Sequence, residues 1–188
     1  MNKYIKIGLT GIHSSGKTTV FNELKRLEAF EKFSFIDGPA RKLKNEGINI
    51  NEAADDVAQV MLVNRTVEGI FKPGNTVSDR TLIDAMAYTE CLFGMNKISK
   101  NVHDYVSLIF NQYINTYDVI FISKPEFNMV DDGVRSTDIE FYNKSNEAFE
   151  YYYEKCSEII PNKLIRLSGT VKNRVDIIIN SLKLLNLF

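Results

Sequence analysis

Residues Gly11-Ile12-His13-Ser14-Ser15-Gly16-Lys17-Thr18 satisfy G-x-x-x-x-G-K-[ST] at every fixed position, and no other stretch constrains the fold as strongly. The motif works only as a curled loop between a strand and a helix. Its glycines let consecutive backbone N–H groups turn inward around phosphate oxygens, and the helix that follows adds its positive dipole end. The flanks meet this requirement. Residues 4–10 form a short strand-like run, and from Lys17 to Glu31 the side chains of Val20, Phe21, Leu24, Leu27 and Ala29 build an apolar stripe at helical spacing. Such a loop binds ATP. Lys17 brings positive charge to the β- and γ-phosphates, and the Thr18 hydroxyl is placed to ligate magnesium. The expected ATP-binding residues are Gly11, His13, Ser14, Ser15, Gly16, Lys17, Thr18 and Thr19. Lys17 reads as solvated loop charge and not as core. His13 sits within reach of a phosphate or a neighbouring side chain, and no chemical step is assigned to it.

The rest of the chain alternates strand and helix. Strands are expected at 33–37, at 75–78, at 118–123, where both faces read as buried, and at 163–167. Between them a helix is expected from Asn51 as N-cap, carrying Ala53, Val57, Val60, Met61, Val67 and Phe71 inward until Lys72-Pro73-Gly74 stops it. Further helices are expected over 81–93, closed by Gly94, from Asn101, after the polar loop at 124–136, and from Thr170. This order demands right-handed crossovers and a parallel sheet covered on both sides. The expected fold is a three-layer α/β sandwich with a five-stranded parallel sheet in the order 2-3-1-4-5. One domain over 1–188 is expected, with a lid segment at about 124–142. Ligands of such sheets sit at the carboxyl ends of the strands.

Charge narrows the partners. Lys plus Arg number 23 against 24 Asp plus Glu, so the net charge is −1 and no broad basic face for duplex nucleic acid is implied. Cys91 and Cys156 lie far apart in helical stretches and read as reduced, half-buried thiols rather than a disulfide or a metal pair. The N-terminal residues are too few and too charged for a signal peptide, and no apolar run approaches bilayer length. A cytoplasmic protein without membrane contact is expected.

Other motifs sort the P-loop classes. A guanine reader of the form Asn-Lys-x-Asp is missing, because Asn96-Lys97-Ile98-Ser99 and Asn143-Lys144-Ser145-Asn146 both lack the acid. The apolar strand at 118–123 ends in Ser123-Lys124-Pro125 rather than the Asp-Glu pair of motor ATPases. The third strand runs instead into Ser78-Asp79-Arg80. An aspartate there holds magnesium or accepts a proton, and the arginine neutralises phosphate charge. That suits a small-molecule kinase. Asp84 reads either as a substrate contact or as a stabiliser of its helix start. The cluster of Phe149, Tyr151, Tyr152 and Tyr153 reads as packing, since adjacent helical residues point in different directions.

Residues 77–84 (Val-Ser-Asp-Arg-Thr-Leu-Ile-Asp) with Tyr88, and residues 132–138 (Asp-Gly-Val-Arg-Ser-Thr-Asp) with Phe141, resemble the NadR-type AAA/kinase family. That family includes bacterial and phage-encoded P-loop kinases and is related to thymidylate and deoxynucleoside kinases. Pro39-Ala40-Arg41-Lys42-Leu43 and Leu167-Ser168-Gly169 with Arg174 extend the likeness to nearly the whole chain. The resemblance implies that Asp79 serves magnesium or acts as base, and that Arg80 meets the acceptor or the transferring phosphate. It implies that Arg135 closes over the γ-phosphate, that Arg41 contacts the acceptor, and that Arg174 lies on the base side of ATP. Two positions depart from the pattern. Gly38 stands where relatives carry an acid, with Asp37 one residue earlier as the candidate substitute. Tyr142 stands where they carry arginine.

The expected catalytic set is Lys17, Asp79, Arg80 and Arg135, with Thr18 and Asp79 on magnesium and Asp37, Arg41 and Asp84 on the substrate. The first reading is ATP- and magnesium-dependent phosphoryl transfer to a nucleoside, nucleotide or pyridine-nucleotide precursor. The alternatives are a kinase acting on a modified base such as 5-hydroxymethyluracil in DNA, and a nucleotide-binding ATPase or regulator without an acceptor. A phage source is suggested by the Lys, Asn and Ile content. The oligomeric state stays open, with a homodimer among the options.

Overall fold

The computed structural model describes residues 4–124 and 138–188. Five strands, β1 (Lys6–Thr10), β2 (Phe33–Ile36), β3 (Asn75–Asp79), β4 (Val119–Ser123) and β5 (Leu164–Leu167), form one sheet in the order β2-β3-β1-β4-β5. Every pairing is parallel. The connecting helices are α1 (Lys17–Leu24), α2 (Pro39–Asn45), α3 (Asp56–Phe71), α4 (Leu82–Gly94), α5 (Lys100–Tyr113), α6 (Ile139–Ile159) and α7 (Val171–Leu184).

Strand periodicity explains the three layers. On β4, Val119 and Phe121 pack with α1 and α7, whereas Ile120 and Ile122 pack with α4, α5 and α6. All four are at most 2% exposed, which is why β4 reads as one continuous apolar run. Burying a side chain of this kind contributes about 1.5–3 kcal/mol. The strand ends β1 and β3 meet in the middle of the sheet, where Leu9 pairs with Asp79 in register. That register delivers Asp79 beside the glycine-rich turn after β1.

Several helix limits differ from the sequence expectation. Helix α1 stops at Leu24 rather than Glu31, because Leu27 is extended and a single 3-10 turn at Glu28–Phe30 follows. The bend lets Phe30 bury against Phe33, Phe35 and Phe188, while Ala29 is exposed. Asn51 does not cap α3. It lies at φ 57° as the first residue of a 3-10 turn, Asn51–Ala53, and Asp55 is the cap, its carboxylate accepting from Ala58 N at 2.9 Å. The buried stripe of α3 is also rotated from the expected one. Ala58, Gln59, Val63, Thr66 and Ile70 face inward, whereas Val57 and Phe71 are exposed. Ser99 rather than Asn101 caps α5, and Gly94 is the last helical residue of α4, with Asn96 taking the left-handed position. Helix α2 was not expected. Pro39 opens it, a position where a missing N–H is harmless.

Cys91 and Cys156 are both free and buried, deeper than half-buried. The aromatic cluster on α6 packs as expected, with Phe149, Tyr152 and Tyr153 buried and Tyr151 exposed. No described helix is long and apolar enough to cross a membrane.

Candidate active site

The turn after β1 has the curl its motif demands. Gly11, Ser14 and Gly16 lie at φ +142°, +62° and +80°. A Cβ at Gly11 would sit 2.3 Å from the Ser123 carbonyl oxygen, so only glycine fits against the end of β4. Lys17 is 5% exposed and therefore not the solvated charge expected from sequence. Its ammonium donates to the carbonyls of Gly11 and Ile12, the latter at 2.7 Å, and to Ser15 Oγ at 3.0 Å. The carbonyls of Gly11 and Ile12 and the Ser15 hydroxyl converge on this cation and hold it against the loop. Ser14 and Ser15 are buried in the loop, and Thr19 is exposed on α1.

His13 turns toward the helices. It is 4% exposed, its Nδ1 lies 3.4 Å from the Tyr88 hydroxyl, and its ring meets Tyr142 edge-on at 5.0 Å. Tyr142 thus occupies with an aromatic contact the position where the family resemblance implies arginine.

Thr18 and Asp79 come together across the mouth of the loop. The Thr18 hydroxyl donates to Asp79 Oδ2 at 3.0 Å. Asp79 Oδ1 is buried with no hydrogen-bond partner among the described residues. A hydroxyl and a carboxylate with an unused oxygen are hard donors suited to magnesium, which completes its shell with water and phosphate oxygens. The residues present fit that ion.

Arg80 and Asp84 form the next layer. Arg80 adopts φ +113°, a conformation costing on the order of 1–3 kcal/mol in a non-glycine residue. Its backbone N–H donates to Leu9 O at 3.0 Å, continuing the sheet. The guanidinium Nη1 donates to Asp84 Oδ1 at 2.9 Å, to Gly11 O at 3.2 Å and to the Tyr88 hydroxyl at 3.5 Å. Burial alone would lower the Arg80 pKa, but Tyr88, Asp84 and Asp79 outweigh it, so the group stays charged. Asp84 Oδ2 accepts from the Thr81 N–H at 2.9 Å and from its hydroxyl at 3.1 Å, closing a capping box. Asp84 therefore stabilises the helix start and also lines the adjoining cleft.

Gly38 has a physical reason. A Cβ there would lie 2.7 Å from the Asp79 carbonyl oxygen and 3.0 Å from Arg80 Cγ. Any side chain here, including the acid that the family resemblance implies, would need this backbone to move. The Asp37 carboxylate is 81% exposed and pairs with Lys25 at 3.1 Å. Arg41 is exposed on α2, outside the cleft lining. Arg174 is 1% exposed behind the loop, its guanidinium gripping Ser15 O at 2.6 Å and Gly169 O at 3.0 Å. Arg135 and most of the segment at 124–142 fall outside the described residues.

The cleft runs from Arg80, Asp84 and Tyr88 between α2, α3 and α4. Gln59 lines it, a residue the sequence reading missed. It is 1% exposed, and its amide nitrogen donates to Ala85 O at 3.2 Å and Thr89 Oγ1 at 2.6 Å. The available signal was a polar side chain in register with Val63, Thr66 and Ile70, which was hidden by choosing the wrong face of α3.

A family model described as an AAA domain matches residues 6–174, most of the chain. The chain belongs to this AAA domain family. No curated protein matches the sequence significantly. Among solved structures, this AAA domain is similar in fold to deoxyadenosine kinase from M. mycoides with bound dATP. That match has a TM-score of 0.67 and 13% identity, and covers 96% of this chain and 100% of that one. It is also similar to the NadR protein in complex with NR, with a TM-score of 0.70 and 18% identity over 96% of this chain. The match spans 51% of the NadR chain, about half its length. A third likeness is deoxyadenosine kinase from M. mycoides with bound dCTP, with a TM-score of 0.64 and 17% identity over 95% of this chain and 99% of that one. At these identities the likeness shows the fold, a P-loop kinase-like one with the sheet order expected from sequence.

Proposed function

We propose that this chain transfers the γ-phosphate of ATP to the hydroxyl of a neutral, nucleoside-like acceptor bound between α2, α3 and α4. The observation that carries the reading is the Asp79–Arg80 junction. Asp79 reaches Thr18 on the phosphate side, and Arg80 lines the cleft on the other. One dipeptide thus borders both reactants, as in-line transfer requires.

The loop N–H groups and Lys17 bind the β- and γ-phosphates. Thr18 and Asp79 would hold magnesium, which neutralises phosphate charge when bound. Asp79 Oδ1 orients the attacking hydroxyl or takes its proton. Arg80, fixed by Asp84, stabilises charge developing on the transferring group. Arg135 is the sequence-based candidate for a further cation there.

The cleft supports an uncharged acceptor. Among the described lining residues, Arg80 and Asp84 carry the formal charges, and they pair at 2.9 Å. A phosphate ester on the acceptor would bring roughly −1.5 to −2 charges, and the one cation among the described lining residues, Arg80, is already paired with Asp84. The fold likeness to a deoxyadenosine kinase and to NadR bound to NR agrees with a nucleoside-type ligand.

Continuous measurement of ADP release tests this reading. Neutral nucleosides, their 5′-monophosphates and modified-base DNA are added in turn with magnesium and ATP. ADP release that depends on a neutral nucleoside is expected. Release at one rate whatever is added would leave an ATPase, and release with DNA alone would move the acceptor into the polymer.

A further inference from the structure

Three left-handed positions, Gly11, Ser14 and Gly16, make the phosphate loop a shape its own sequence does not hold. A left-handed serine costs on the order of 1–2 kcal/mol, and glycine leaves that region as readily as it enters. The loop needs fixing from outside. Arg174, on the first turn of α7, reaches it from behind. Its Nη1 donates to Ser15 O at 2.6 Å and to Ser123 Oγ at 3.3 Å. Its Nε donates to Gly169 O at 3.0 Å and its Nη2 to Lys124 O at 3.4 Å.

We propose that Arg174 is a positioning residue for the donor phosphates, acting through the Ser15–Gly16 peptide. In a trans peptide the carbonyl and the N–H point in opposite directions. A Ser15 carbonyl drawn back onto Arg174 therefore aims the Gly16 N–H to the opposite side, into the cradle. The cationic donor on that carbonyl also polarises the peptide, which makes the Gly16 N–H a stronger donor to an anion.

The second contact fixes the other end of the loop. Gly11 lies against the Ser123 backbone, since a Cβ there would meet Ser123 O at 2.3 Å. One guanidinium thus grips Ser15 directly and grips the strand end on which Gly11 rests. This differs from the base-side contact implied by family resemblance. With all three nitrogens on protein oxygens and 1% exposure, Arg174 presents no edge to a nucleobase. The role rests on the reading of the loop as a phosphate cradle.

Calorimetric titration with a non-hydrolysable ATP analogue and with inorganic tripolyphosphate separates these roles in wild type, Arg174→Lys and Arg174→Ala. Both ligands are expected to weaken by the same factor, about tenfold for Arg174→Lys and more for Arg174→Ala. Millimolar guanidinium is expected to restore part of the affinity of Arg174→Ala. Should Arg174→Ala fail to fold, Arg174→Lys keeps a cation and carries the comparison. Loss for the ATP analogue alone would make Arg174 a base contact and overturn the inference. A lower Tm with unchanged affinity of folded Arg174→Lys would overturn it too. A wild type that bound neither ligand would remove the cradle reading itself and this inference with it.

Discussion

The Thr18 hydroxyl donates to Asp79 Oδ2 at 3.0 Å, tying the first turn of α1 to the last residue of β3. The contact leaves Asp79 Oδ1 buried and unused among the described residues. One carboxylate oxygen is thus set in place by the phosphate loop while the other stays available for metal or proton.

Asp79→Asn removes the anion and keeps the shape. Turnover is expected to fall roughly 10²–10⁴-fold, with affinity for an ATP analogue changed far less. Raised magnesium is expected to restore part of the rate. Steady-state kinetics over a magnesium series check this, and near-normal turnover would reduce Asp79 to a strand end.

Gly38→Ala probes the packing that aims the same residue. The added Cβ would meet a backbone carbonyl at 2.7 Å, which cannot swing aside like a side-chain tip. A loss of about 1–3 kcal/mol is expected in urea unfolding, together with reduced turnover. Gly94→Ala is the control, because nothing lies within 4 Å of its Cβ and the site is helical. That variant is expected to be neutral or stabilised by up to about 1 kcal/mol. Equal behaviour of the two would contradict the tight Gly38–Asp79 approach.

The sheet and the loop were legible because each rests on local rules. Residues 11–18 match a motif that works in one geometry, and the apolar run 119–122 has to lie inside a sheet covered on both faces. The acceptor side was harder. Residues 57–61 are mostly apolar, so helical periodicity alone did not decide which face of α3 turns inward, and Gln59 was lost with that choice. Gly38 looked like a missing acid, whereas the cause lies 41 residues away in the Asp79 carbonyl. Lys17 looked solvated because sequence does not show loop carbonyls converging on its ammonium.

Alkali is expected to destabilise the fold. Burial pushes the Cys156 thiol from 9.0 up to about 12, and burial raises Tyr117, Tyr152 and Tyr153 as well. These groups lose protons more easily in the unfolded chain. Their contribution is therefore complete below pH 9 and is lost as pH rises from there toward 12. Urea midpoints should fall steadily above about pH 9. Iodoacetamide at pH 8 should leave Cys156 unlabelled until the protein is unfolded, and rapid labelling of the native state would contradict its burial.

Phosphate transfer itself is best read in a single turnover, with enzyme in excess over γ-labelled ATP and a panel of neutral nucleosides. Wild type is expected to place the label on one nucleoside as its monophosphate, with one ADP formed per label moved. Lys17→Met, which removes the cation from the loop, is expected to transfer none within the same time. Label recovered only as inorganic phosphate, or Lys17→Met transferring as fast as wild type, would contradict a kinase built on this loop.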